Sequence, residues 1–230
     1  MPELAAYGPY TSKDIDYFGR KEAAEKLAAA LNGRVLIPDA DDHTPQTAIV
    51  QATIDDQEIT IDFLWHIKGV DQASLERQAV EMILKVKVGD QNGELRIPIM
   101  HPLHCMQSRL ANVIELHRGT DLAHRQLEAS PIVLREYLSE VLKDGGHKHV
   151  TTVLQALYTY LLSDPNGRRA HKRMTNDPAD ILMHFQADNR LDQRWREKSL
   201  VPMCQKITNR RSAWGAMKVG INRILGRPSE

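Results

Sequence analysis

The spacing of the apolar residues changes near residue 100, and this limits the architecture more than any other feature. Upstream, short runs alternate: 14–18 (DIDYF), 34–38 (RVLIP), 47–54 (TAIVQATI), 58–65 (EITIDFLW), 82–88 (MILKVKV) and 94–100 (ELRIPIM). A period of two is that of a β-strand, whose successive side chains point to opposite faces. Between the first two runs, 21–33 (KEAAEKLAAALNG) is rich in good helix formers and closes on Asn32-Gly33, which predicts a helix with a glycine stop. Asn92-Gly93 within 89–94 predicts the turn of a hairpin. After His101-Pro102 the spacing becomes helical over 103–117, 121–143 and 149–162, and Pro131 is expected to start, kink or divide the second helix. Residues 145–149 (GGHKH) read as a joining loop and 163–167 (SDPNG) as a turn, with two or three basic helices to follow. The expected class is α+β: a sheet with a helix over residues 1–100, then an all-helical part over 101–230.

Charge divides the chain in another way. Lys plus Arg and Asp plus Glu each total 30, yet Pro165–Glu230 holds 14 basic against 6 acidic residues, a net of +8, which Met1–Asp164 balances with −8. Such asymmetry suggests separate tasks, either a phosphate or nucleic-acid surface after residue 165 or simply solvated basic helices. No apolar run approaches the roughly 20 residues that span a bilayer, so no membrane role is expected. The first ten residues have neither the basic start nor the apolar stretch of a signal peptide. Cys105 and Cys204 do not make a disulfide framework, and a cytoplasmic location is expected.

Asp14 and Asp16 are two apart in the first strand, so both side chains are expected on one face, although like charges held side by side repel. In the run EITIDFLW, Asp62 falls between Ile61 and Phe63 and so belongs to the face opposite them. A carboxylate inside an apolar strand needs a partner. If this strand lies beside the first, three carboxylates converge, and such a cluster suits a hard divalent cation. Two such ions can clamp the attacking and leaving oxygens of a phosphoryl transfer. Taken alone, an Asp-x-Asp pair more often ends a surface strand.

A strand with Asp-x-Asp, a helix, and a later strand with a third Asp resembles the nucleotidyltransferase superfamily, the fold typified by DNA polymerase beta. More narrowly, GPYTSKDID resembles the Gly-Pro-Arg-x-Thr-x-Asp-x-Asp stretch of toxin-like nucleotidyltransferases from bacterial abortive-infection systems. Gly8, Pro9, Ser12, Asp14 and Asp16 fit, Ser12 standing for Thr, while Tyr10 stands where Arg is common. In HPLHCMQSRLANVIELHRGTDLAHRQL, Pro102, Arg109 and Asp121 match the family's following helix and loop, with Arg109 at a Lys position and Cys105 in place of Leu. The resemblance implies a nucleotidyltransferase-like mixed sheet with Asp14, Asp16 and Asp62 as catalytic, metal-holding carboxylates. It implies Mg²⁺ or Mn²⁺ as cofactor and a nucleoside triphosphate as substrate, with Ser12, Lys13 and Arg109 on its phosphates. The acceptor is a hydroxyl of RNA, a protein or a small molecule. The superfamily also carries a Gly-Ser or Gly-Gly pair about a dozen residues before the first carboxylate, whose backbone amides cradle phosphate. That place falls at Met1 here. With such an element upstream the expectation is an enzyme; without it, an inactive module that binds a protein partner or nucleic acid.

Other candidates read as structural. Asp39, Asp41, Asp42 and His43 are open to a substrate contact but read first as an ordinary acidic turn. His101, His104 and Cys105 lack a fourth zinc ligand. Arg109 alone would read as a surface ion pair, and Trp195 and Trp214 are expected to anchor the core rather than stack bases.

Overall fold

The computed structural model describes residues 2–5, 14–39, 41–42, 44–88 and 91–224, without the side chains of 2, 3, 14, 88, 91 and 213–224. The protein mixes helix (55%) with strand (21%). It divides into two compact units, Leu4–His104 and Cys105–Glu230.

After a short helix α1 (Pro2–Ala5), the first unit runs β1 (Asp14–Phe18), α2 (Lys21–Ala30), β2 (Arg34–Leu36), β3 (Gln46–Ile54), β4 (Gln57–Leu64), α3 (Gln72–Arg77), β5 (Val80–Val88) and β6 (Gln91–Ile99). Four strands form a mixed sheet in the order β1-β4-β3-β2, with β1 parallel to β4 and the other pairs antiparallel. Ala24 and Ala28 of α2 share a buried cluster with Ala48, Val50, Ile61 and Phe63, so the helix covers one face of this sheet. Alanine suits that helix because small side chains allow close approach to the pleated surface. Asn32 ends α2 with φ of 51°, and Gly33 then passes the β3 backbone so closely that a Cβ there would lie 2.5 Å from the Gln51 carbonyl oxygen. Asp55 and Asp56 both have positive φ, the requirement of the tight turn joining β3 to β4.

β5 and β6 make a separate two-stranded ribbon. The hairpin expected around 89–94 is therefore present, although Asn92 and Gly93 are not its turn. They lie within β6, opposite Lys87 and Val86, and the strands connect through residues 89–90, outside the described residues. The alternation of 80–99 fits that register better: it gathers Val80, Met82, Leu84, Val86, Leu95, Ile97 and Ile99 on one face and the charged residues on the other.

The second unit contains most of α4 (Pro102–Glu115), then α5 (Asp121–Lys143), α6 (His147–Ser163), α7 (Ala170–Arg173), α8 (Ala179–Gln186), α9 (Gln193–Trp195) and α10 (Val201–Ile224), with a π-turn at Arg196–Leu200 before the last. α5 is one helix and continues through Pro131. Proline removes the amide that would bond to the carbonyl four residues back. Here the Ser130 hydroxyl donates to that carbonyl, Leu127 O, at 2.6 Å, so the buried oxygen stays satisfied. Asp144, Gly145 and Gly146 join α5 to α6, since His147 already starts the helix; Gly145 takes φ of 84°. Gly167 is held tighter still, a Cβ there falling 2.2 Å from the Tyr160 carbonyl oxygen. The tail expected to be two or three helices consists of the short α7 and α8 followed by one unbroken helical stretch from Gln193 to Ile224.

Candidate active site

The site begins with a register. Parallel pairing of β1 with β4 sets Asp16 opposite Asp62 and Asp14 opposite Thr60. Partners in register share a face, so Asp16 and Asp62 stand side by side. Their strand neighbours decide which face it is: Ile61 and Phe63 are buried against α2's cluster, while Asp16 is exposed and Asp62 partly so. Tyr17 stacks on Phe63 at a centroid distance of 5.6 Å, which fixes β1 on the core side and leaves the acidic face open. Asp14 opens β1 two positions before Asp16. Ser12 and Lys13 lie outside the described residues. Among the described side chains, Asp14's not included, no three His, Cys, Asp or Glu gather around one point.

The open face continues across the sheet. Ile49 of β3 is opposite Asp62, and Leu36 of β2 is opposite Ile49. These two, with Ile37, Pro38, Asp42, Thr44 and Gln46, line an open groove of about 410 Å³. One row of the sheet therefore runs from two carboxylates into an apolar-floored groove. Residues 38–48, read first as an acidic turn with substrate contact as the other reading, contribute to it. The turn is real, with Asp42 Oδ2 accepting from Asp39 N at 3.2 Å, yet Asp42 and Thr44 also wall the groove. The signal for the groove is the strand register, which aligns Leu36, Ile49 and Asp62.

Two of the second unit's expected roles look different at close range. Arg109 is half-buried on α4 and donates from Nη1 to the Gln126 carbonyl at 3.0 Å. Four of its guanidinium N–H groups remain besides that one. Arg168, Arg169, Lys172 and Arg173 are exposed, as is Arg210, which donates to the Leu162 carbonyl at 2.8 Å. Arg211 is no part of a free basic surface: it forms a fork with Asp177, one arm at 3.0 Å. Trp195 is half-buried, and the side chain of Trp214 lies outside the described residues.

The histidines and cysteines are engaged elsewhere. His101 Nδ1 accepts from Leu103 N at 3.0 Å, capping α4, and His104 Nε2 faces Ser74 Oγ at 3.3 Å. Burial lowers the His104 pKa, with Asp71 opposing. Burial pushes the Cys105 thiol up, with Arg109 and a backbone hydrogen bond opposing, which keeps it from the thiolate form a metal prefers. Cys105 and Cys204 are not in a disulfide. Among the described residues, no helix is long and apolar enough to cross a membrane. No family model, no curated protein and no solved structure matches the chain.

Proposed function

We propose that this chain is a metal-dependent nucleotidyltransferase, moving a nucleoside monophosphate from a nucleoside triphosphate to a hydroxyl acceptor, on a nucleotidyltransferase-like mixed sheet. One observation carries the reading: Asp16 and Asp62 stand in register on neighbouring parallel strands, on the sheet face away from the core. Adjacent strands lie about 4.8 Å apart, a spacing that lets two carboxylates share one cation. Mg²⁺ favours one or two carboxylates plus substrate phosphates. Asp16 and Asp62 would supply two carboxylates, and Asp14, two residues before Asp16 on β1, is the candidate for a third.

When bound there, Mg²⁺ or Mn²⁺ supplies charge neutralisation for the triphosphate. Asp14 and Asp16 would hold the ion from β1 and Asp62 from β4. Asp62 would also accept the acceptor hydroxyl's proton while that oxygen bonds the α-phosphorus and the bond to pyrophosphate breaks. The groove on the same face receives the nucleoside, its base over Leu36, Ile37 and Ile49 and its polar edges toward Asp42, Thr44 and Gln46. Ser12, Lys13 and Arg109 are the candidates for the outer phosphates. The exposed cations after residue 165 make RNA the first acceptor to test, before protein or a small molecule.

Incubation with labelled nucleoside triphosphates, Mg²⁺ and cell extract tests the reading. Label transfer is expected, falling at least a hundredfold, or about 2.7 kcal/mol of barrier, in Asp16→Asn and in Asp62→Asn, with both variants folded. Transfer that survives both substitutions overturns the assignment. A rise in melting temperature with Mn²⁺, lost in both variants, without any transfer would favour the inactive module that binds a partner or nucleic acid.

A further inference from the structure

The β5–β6 ribbon is built to be completed. One face gathers Val80, Met82, Leu84, Val86, Leu95, Ile97 and Ile99, and four of these, Met82, Leu84, Leu95 and Ile99, are between 36% and 48% exposed. The other face is charged and internally tied, Arg96 reaching Glu81 at 3.1 Å and Glu94 at 3.8 Å. A two-stranded ribbon by itself is marginal in water, and a third strand changes that.

The two outer edges differ. Pro98 has no N–H, so its place opposite Glu81 is a non-hydrogen-bonded pair, with Pro98's nitrogen turned outward. β6 thereby presents an edge missing a donor, a common device against pairing. The register has no shift, so the pairs Ile83–Arg96, Lys85–Glu94 and Lys87–Asn92 are of the same kind. The outward backbone groups of β5 therefore belong to Glu81, Ile83, Lys85 and Lys87, and none of these is proline.

We propose that β5 pairs antiparallel with β5 of a second copy of this chain, about a two-fold axis through Leu84. In that register all nine residues overlap. Glu81 faces Lys87 of the second copy at both ends, an opposite-sign pair made twice. On the apolar side Met82 faces Val86 of the second copy and the two Leu84 side chains meet. The outward groups of each β5 bond to those of the other, which gives a four-stranded sheet with the Pro98 strands outermost. A membrane fits less well, because the cations sit on the face opposite the apolar one and the ribbon has no Trp or Tyr to anchor it.

Sedimentation velocity of the full chain over a wide concentration range reads this directly, and a concentration-dependent dimer is expected. Ile83→Pro removes one outward donor per copy at a position where β5–β6 pairing does not use it, and should weaken the dimer at least about tenfold. Lys87→Glu sets like charges opposite Glu81 and should weaken it; adding Glu81→Lys should recover it. Hydrogen exchange on the unmodified protein gives an independent readout: amides of Glu81, Ile83, Lys85 and Lys87 should slow as concentration rises, while those of Asn92, Glu94 and Arg96 stay fast. A chain that remains monomeric throughout overturns the proposal. So does slowing on β6 rather than β5. A dimer lost in Leu95→Asp yet kept in Ile83→Pro overturns it too, because the two copies would then meet face to face.

Discussion

His104 and Ser74 show how single side chains couple this fold to pH. Burial lowers the pKa of His104 in the folded protein, with Asp71 acting against it. A group whose folded pKa lies below its unfolded value of about 6.5 binds protons more readily in the unfolded chain. Its contribution is therefore fully present above that pH and is lost as pH falls through it. His171 has the same sign, by burial first and then by nearby Arg211. We expect the urea midpoint to fall between pH 7.5 and pH 5, and His104→Gln to flatten part of that slope. An unchanged slope in the variant would mean that His104 is already solvated in the native state. Asp62 is the residue whose position was most legible beforehand, because strand alternation alone separates it from Ile61 and Phe63. Arg211 was the least legible: a count of charges cannot tell a solvated guanidinium from one forked onto Asp177.

At the scale of elements, α5 holds the sharpest contrast between propensity and context. Proline inside a helix ordinarily costs about 3 kcal/mol, yet α5 continues because Ser130 supplies the missing donor. Ser130→Ala should therefore cost about 1 kcal/mol. In a Pro131→Ala background the same change should cost little, because an amide again reaches Leu127 O. A chemical-denaturation double-mutant cycle measures that coupling, and strict additivity would show the hydroxyl to be irrelevant. The turn after α6 is constrained by space as well as by hydrogen bonds, Asp164 Oδ1 accepting from Asn166 N at 2.8 Å and from Gly167 N at 3.0 Å. Gly167→Ala drives a methyl into the Tyr160 backbone carbonyl, where no side chain can yield. We expect at least about 2 kcal/mol of destabilisation, visible as a lowered melting temperature. The wrong turn expected at Asn92-Gly93 has a related cause. Asn-Gly is a good local turn, but it would break the alternation that puts every apolar residue of 80–99 except Ile83 and Pro98 on one face.

For the whole molecule, the charge gradient divides much as the two units do. Arg168, Arg169, Lys172 and Arg173 are exposed on the helical unit, and the carboxylates belong to the sheet unit. If the acceptor is RNA, reversing Arg168 and Arg169 should weaken binding in low salt without lowering the melting temperature. The dependence of log affinity on log salt should become shallower by roughly 0.7 for each phosphate no longer neutralised. Arg211→Glu should behave differently and lower stability, since it leaves Asp177 facing a like charge. Fluorescence anisotropy with a labelled RNA, beside a thermal melt, separates the two. Equal binding by the Arg168/Arg169 variant would turn the search for an acceptor to protein or small-molecule hydroxyls.

Periodicity by itself determined the strands of 14–99 with their alanine-rich helix, and that helices follow residue 101; it did not show the short helix α3. It also determined which face of its strand Asp62 takes. These are local consequences of backbone geometry, and the sequence carries them directly. Only the tertiary structure decided that β1 lies beside β4 rather than β2, in the register that sets Asp16 against Asp62. It alone decided that the segment 36–49 supplies a groove on the same face, that Pro131 is tolerated, and that the β5–β6 ribbon keeps its apolar face uncovered. Each of these depends on segments far apart in the chain meeting at one place. Closing such loops costs entropy that only the whole packed arrangement returns, so no local pattern specifies them.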